Sequence, residues 1–347
     1  MVEIALRAQP ETGRAATRVP TGVVVIVLAV LTVLLCLVSL AVGSQSLTLE
    51  ELVSAFVPGE RTVASIIVWQ LRMPRTVLAA MVGAVPAVAG VVMQGLTRNP
   101  LAEPGILGVN AGASLSVVLS MSLLGLTDVG EFLWFAFAGA ALAAFLVHLI
   151  SVRSADAGPA RLVLAGVALG ASLRSITGTV TMYDSVTFDS YRFWVLGSLV
   201  DRDAELLVWV APFLVVGLVL ALASGLTLNA LALGEEQAQA LGVSPRRARA
   251  LALTSITLLC GASTAAVGPI SFVGLVVPHV LRLALGADQR KLLVVSVVAG
   301  PVLLLAADIL GRVILDSGEM EAGVVTAFIG GPVLLLMVIQ RMGVRGR

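Results

Sequence analysis

The stretch LNALALGEEQAQALGV, residues 228–243, is a short, mildly amphipathic, acid-tipped segment set between two long apolar runs. Its local chemistry predicts a helix. Glu235 and Glu236 complement the partial positive charge of a first turn. Gly242 matches a C-terminal cap, and Pro245 is expected to keep the helix from restarting. Leu231, Leu233, Ala238 and Leu241 offer an apolar contact surface. Two readings stay open for such a segment: it lies on lipid, or it seats against another protein.

The surroundings place the chain in a bilayer. Of 347 residues, 58% are hydrophobic and only 12% charged, with a mean hydropathy of +1.03; this exceeds what a soluble core needs. Cys36 and Cys260 stand singly in apolar runs, which excludes a disulfide framework or a cysteine metal site. His148 and His279 are far apart. No GxxxxGK[ST] pattern occurs, so nucleotide hydrolysis by this chain is not expected. A net charge of +1 gives no reason to expect nucleic-acid binding.

Ten spans are expected, at 23–42, 63–96, 105–124, 131–151, 162–183, 204–226, 246–267, 270–286, 291–310 and 322–340, each near the length that crosses a hydrocarbon core. The first is too long for the apolar region of a signal peptide and reads as a retained helix. The second is too long for one perpendicular crossing, so it tilts or leaves the bilayer. Asp189–Leu199 reads as a short surface helix. Arg98, Arg153, Arg161, Arg246, Arg247, Arg249, Arg290 and Lys291 fall on one side, together with both termini; Arg61, Arg72, Arg75, Arg192, Arg202 and Arg312 fall on the other, with most of the acids. The positive-inside rule makes the first side cytoplasmic. The expected layout is a cytoplasmic tail 1–22, a ten-helix membrane domain 23–340 and a cytoplasmic tail 341–347. The 228–243 helix is then cytoplasmic, the side on which an ATPase would be found.

Glycine is abundant, at 34 residues. Gly108–Gly112 and Gly166–Gly170 have GxxxG spacing, which lets helices approach closely. GAVPAVAG (83–90) echoes GASTAAVG (261–268) on oppositely directed spans, the pattern of an inverted repeat. Prolines inside spans point to broken helices that line a cavity or pack on protein.

Several segments together resemble the permease subunits of ABC importers for iron-siderophores, haem and cobalamin. They are LRMPRTVLAAMVGAVPAVAGVVMQGLTRNPLAEPGILGVNAGA (71–113), LAGVALG (164–170), WVLGSL (194–199), the 228–243 segment, AVGPISFVGLVVPHVLRLALGADQR (266–290), ADILGR (307–312) and EMEAGVVTAFIGGPVLLL (319–336). The resemblance implies an all-α integral membrane protein of ten helices, the fold of type II importers, with both termini in the cytoplasm of a bacterial cell and the chain in its inner membrane. It implies a dimer, of two copies or with a homologous permease, enclosing a translocation path. A substrate-binding protein would deliver substrate from outside, and two ATPase subunits would dock from the cytoplasm and carry the ATP and magnesium. The chain itself would hold no cofactor or metal and catalyse nothing. The 228–243 segment matches the family's coupling helix, so Leu231, Leu233, Gly234, Glu235, Glu236, Ala238, Leu241 and Gly242 would meet the ATPase. Arg72, Arg75 and Arg312 match arginines that meet acidic residues of the binding protein; interfacial snorkelling, and for Arg312 an i,i+4 pair with Asp308, are the plainer readings. His279, in the family's Pro-His pair, reads as a packed histidine beside a proline kink.

Arg174 lies outside these motifs, near the middle of a span, where an unpaired charge is costly. It is expected either to line the path and attract an anionic substrate, such as a ferric-siderophore, or to bond carbonyls of a neighbouring helix. The family's Glu-Leu-Pro-x-Gly reads Glu319-Met320-Glu321-Ala322-Gly323 here, which replaces a rigid corner by a carboxylate near Arg312. Haem and cobalamin fit the same motifs as a siderophore. An ion-coupled transporter would need acidic or histidine groups at mid-span, and an intramembrane enzyme a catalytic cluster; the spans show neither.

Overall fold

The computed structural model describes residues 19–43, 47–57, 62–152, 159–200, 202, 204–315 and 318–345; most of the tail expected at 1–22 lies outside them. Among the described residues there are fifteen α-helices and two other helical turns, and the long helices follow the apolar runs. The first span is α1 (Thr21–Ala41), whose Thr32 hydroxyl reaches the Val298 carbonyl at 3.3 Å. A capping box starts α2 (Leu49–Ser54): Glu51 accepts from the Thr48 N–H and donates its own N–H to the Thr48 hydroxyl.

The over-long second span is a column of α3 (Val63–Ile66), a π-turn (Ile67–Arg72) and α4 (Met73–Thr97). Pro74 has no N–H to donate and its ring crowds the carbonyl one turn back, so the chain widens before it. Arg98, with φ 51°, then ends α4. A 3-10 turn (Pro104–Leu107) leads into α5 (Val109–Leu124). Next come α6 (Val129–Val152), α7 (Pro159–Tyr183) and α8 (Ser185–Val195). The surface helix expected at 189–199 is therefore present but begins at Ser185, because Asp184 caps it by accepting from Thr187 N at 3.0 Å.

The remaining spans are α9 (Ala204–Ala223), α12 (Pro245–Val267), α13 (Val273–Leu285), α14 (Gln289–Val313) and α15 (Ala322–Arg345), with α10 (Gly225–Ala232) and α11 (Glu235–Ala240) between α9 and α12. Helix α15 continues beyond the boundary expected at 340. Among the described residues, eight helical stretches are long and apolar enough to cross a membrane, and α5 and α13 are shorter apolar helices. Each of the ten expected stretches corresponds to a helix among the described residues, eight of them of crossing length.

The α4 column, α12 and α14 form the buried centre, whereas α1 and α7 leave most of their surface uncovered. Lipid supplies no hydrophobic drive between helices, so close backbone approach does the packing. A β-carbon on Gly300 would lie 2.1 Å from the Gly83 carbonyl oxygen, and one on Gly112 would lie 2.3 Å from that of Gly139. Both GxxxG pairs are packing devices: Gly108 faces Gly166 and Gly170.

Candidate functional site

The 228–243 segment is two helices rather than one. Gly234, at φ 121°, breaks it and serves as the N-cap of α11. A side chain there would be strained. The end of α11 is a Schellman motif: Gly242 (φ 79°) donates to the Gln239 carbonyl, and Val243 N donates to the Ala238 carbonyl. Pro245 does not prevent a restart; it occupies the first turn of α12, where its missing N–H costs nothing.

This break sorts the four apolar residues. Leu231 and Ala238 turn inward with Ala230 and Ala248. Leu233 and Leu241 turn outward, each 64% exposed. Glu236 is exposed, while Glu235 pairs with Arg249 of α12. The inner face is thus anchored and the outer face presents two leucines and a carboxylate.

The anchor continues into the bundle. Leu228 is fully buried and lies beside Gly95 of α4. Asn229 Nδ2 donates to Asp288 Oδ1 at 2.9 Å, and Asn229 Oδ1 accepts from Gln289 N at 2.9 Å. The amide of Asn229 is the main reason that the Asp288 carboxyl is held below the usual carboxylate range. Sequence reading missed this link, since 59 residues separate its partners.

At the opposite end the three singled-out arginines converge on α14. Arg75 bonds Asp308 Oδ1 through Nε at 3.0 Å and Nη2 at 2.7 Å, and Glu319 through Nη1 at 2.6 Å. Arg312 bonds the other Asp308 oxygen, the carbonyls of Ser39 (2.8 Å) and Val42 (3.0 Å), and the Ser39 hydroxyl. Arg72 Nη1 bonds the carbonyls of Leu40 and Ala41, each at 2.8 Å. Arg72 and Arg312 are buried and Arg75 nearly so; all three point into the protein and tie α1, α4, α14 and the 314–321 connection together. The i,i+4 pair of Asp308 and Arg312 is present. Glu321 does not pair with Arg312. Its carboxyl is hydrogen-bonded to Ser198, and burial pushes it above the usual carboxylate range against the pull of Arg75 and Arg202.

Arg174 is exposed on α7 beside Ser172, Ser175 and Thr179, which are also exposed. Those hydroxyls bond carbonyls of their own helix. No hydrogen bond or ion pair joins Arg174 to another described residue; its guanidinium folds back toward Gly170. Two interior links also escaped the sequence reading. Gln94 donates to the Gly274 carbonyl at 3.1 Å and accepts from Arg282 at 2.5 Å. Glu103 accepts from Phe272 N at 2.7 Å, where Phe272 starts α13 at φ 68°. No cluster of metal-ligating side chains occurs among the described residues.

A helical bundle with eight stretches, among the described residues, long and apolar enough to cross a membrane, carrying a short helix pair anchored to its buried centre, has the make-up of a polytopic membrane protein. Residues 31–340 match the model of the FecCD transport family. The chain belongs to that family, the permease subunits of ABC importers, and is a multi-pass protein of the bacterial cytoplasmic membrane. It is 43% identical over 316 residues to the ferric enterobactin transport system permease protein FepD of Escherichia coli, covering 90% of this chain and 94% of that one. It is 36% identical to the hemin transport system permease protein HmuU of Yersinia pestis, covering 95% and 98%. It is 41% identical to the vitamin B12 import system permease protein BtuC of Vibrio cholerae, covering 79% and 83%. A solved metal-chelate type ABC transporter in an inward-facing conformation superposes with a TM-score of 0.82 at 28% identity, covering 92% of this chain and 99% of that one.

Proposed function

We propose that this chain forms the translocation path of an ATP-driven importer of ferric-siderophores. The observation that carries the importer reading is the two-faced helix pair α10–α11: its inner face is fixed to α4, α12 and α14, and its outer face leaves Leu233, Leu241 and Glu236 for a partner. Two ATPase subunits holding ATP and magnesium dock there, and a second permease, copy or homologue, completes the path. The chain binds no cofactor of its own.

Arg174 favours an anionic cargo. A guanidinium in mid-span without a partner among the described residues is costly in hydrocarbon and tolerable in a water-filled path. Lined by such a charge, the path attracts ferric-siderophores with carboxylates or catecholates. Haem, which also carries carboxylates, is the second reading, and cobalamin the third. At the external end a substrate-binding protein docks through acidic residues. Arg75 and Glu319 keep 12% and 22% side-chain exposure, so an incoming carboxylate reaches Arg75 by displacing Glu319, whereas Arg72 and Arg312 act from beneath.

The test is purification from the native host in mild detergent, with mass spectrometry of the proteins recovered. An ATPase subunit is expected, and Leu233→Asp with Leu241→Asp lowers its recovery about 10-fold, the equivalent of about 1.4 kcal/mol. An intact, folded chain that brings no ATPase overturns the reading. In vesicles holding the whole importer, Arg174→Ala is expected to slow ferric-siderophore uptake about 10-fold, in keeping with about 1.5–3 kcal/mol for a hydrogen bond to a charged group. Normal uptake by an assembled variant removes the anion-guiding role.

A further inference from the structure

Helix α10 reaches the bundle by packing and by one polar bridge. Gly225 lies against Arg290 and Leu293 of α14, and Leu228 and Gln289 of α14 both lie against Gly95 of α4. Beside them both ends of the Asn229 amide bond the start of α14 and its N-cap. Its Nδ2 donates to Asp288 Oδ1 and its Oδ1 accepts from Gln289 N, while Asp288 Oδ1 also accepts from Arg290 N at 3.0 Å. Asp288 is the N-cap of α14, so the bridge grips the helix where its free N–H groups lie.

Helix α14 then runs unbroken from Gln289 to Val313. Twenty residues beyond Asp288, about 30 Å along the axis, it presents Asp308, which holds Arg75 and Arg312. One helix therefore touches the cytoplasmic helix pair at its start and the external arginine cluster near its end.

We propose that Asn229 is a positioning residue for energy coupling: it locks α10 to the start of α14, so that displacement of the ATPase-facing helices moves α14 and, through Asp308, the external cluster. This rests on the importer reading above. Packing alone seats α10 against a static bundle; the directional amide–carboxylate–backbone bridge makes α10 and the end of α14 shift as one body.

The experiment uses the complete importer in liposomes with its binding protein, and reads three quantities: ATPase subunit retained, ATP hydrolysed, and substrate taken up per ATP. Asn229→Ala is expected to lower uptake per ATP about 5-fold or more, the low end of a typical coupling free energy. The exchange pair Asn229→Asp with Asp288→Asn can rebuild both bonds of residue 229, since a carboxylate there accepts from Gln289 N and from the amide at 288; only the cap on Arg290 N, which shares Asp288 Oδ1, is given up. It is expected to restore uptake per ATP, whereas Asn229→Asp alone, with two carboxylates facing, is not. An assembled Asn229→Ala importer with the wild-type ratio overturns the proposal, and so does an exchange pair that restores nothing. Should Asn229→Ala fail to assemble, Asn229→Asp against the exchange pair decides by the same criteria. A wild-type chain that retains no ATPase fails the importer reading itself, which the first quantity reads separately.

Discussion

Replacing Asp308 with alanine is expected to destabilise the permease by about 3–5 kcal/mol, the cost of removing one partner from a buried charge pair. Both carboxylate oxygens are committed, one to Arg75 and one to Arg312, and the Asp308 side chain has no exposure. Three guanidinium groups and two carboxylates share this end: Arg72, Arg75 and Arg312 with Asp308 and Glu319. Removing Asp308 leaves Arg75 its hydrogen bond to Glu319 and strands Arg312 among backbone carbonyls. Those carbonyls belong to the last turn of α1 and its C-cap, so the loss also loosens α1 from α14. Glu319→Gln is the control. Its carboxylate is partly exposed and on the rim, and the expected loss is about 1 kcal/mol or less. Thermal unfolding of the detergent-solubilised protein, followed for both variants beside wild type, reads the difference. Equal midpoints for the two variants would show that the shared position of Asp308 does not matter.

The same cluster shows what a sequence conveys and what it withholds. Ten spans were legible because bilayer residence writes itself into composition over about twenty residues at a time. The Leu-Arg-x-Pro-Arg segment was legible as special, and the Asp308–Arg312 spacing as a pair. The direction in which Arg72 and Arg75 point was not. It depends on the π-turn ahead of Pro74 and on Leu40 and Ala41, which lie more than thirty positions away. The 228–243 segment divides likewise. Its caps were local and legible in Glu235, Glu236 and Gly242. Its break at Gly234 was not, because a glycine within a short apolar run reads equally as interior and as punctuation. Pro245 was read as a stop when it is a start, since proline suits the first turn of a helix as well as the residues after one. Asn229, Glu103 and Gln94 carried no sequence signal at all: each bonds a backbone or side chain far along the chain, and single polar residues near spans are common.

Gly90→Val is expected to cost at or beyond the upper end of the about 1–3 kcal/mol typical of overpacking, and to prevent native assembly of α13 on α4. The argument comes from the two octapeptides that echo each other. In GAVPAVAG a β-carbon on Gly90 would lie 1.9 Å from the Gly274 carbonyl oxygen, and one on Gly83 2.9 Å from that of Gly300. Gly274 is equally tight against the Pro86 carbonyl, at 2.6 Å. Helices α4 and α13 therefore meet backbone to backbone, and neither main chain has a side chain to swing aside. One turn after Gly90, Gln94 bonds the Gly274 carbonyl and Arg282, so pushing α13 away also breaks those bonds and leaves buried polar groups without partners. In GASTAAVG the first glycine has another setting. A β-carbon on Gly261 would meet Ala140 and Phe137 at 3.4 Å, ordinary contact, so Gly261→Ala is expected to be neutral or to stabilise by up to about 1 kcal/mol through helix propensity. Resistance to a protease and the thermal midpoint in detergent, measured for Gly90→Val and Gly261→Ala side by side, check both. If the two behave alike, the glycines act as interchangeable small residues. If only Gly90→Val fails, the two glycines do different physical work, set by what packs across from each.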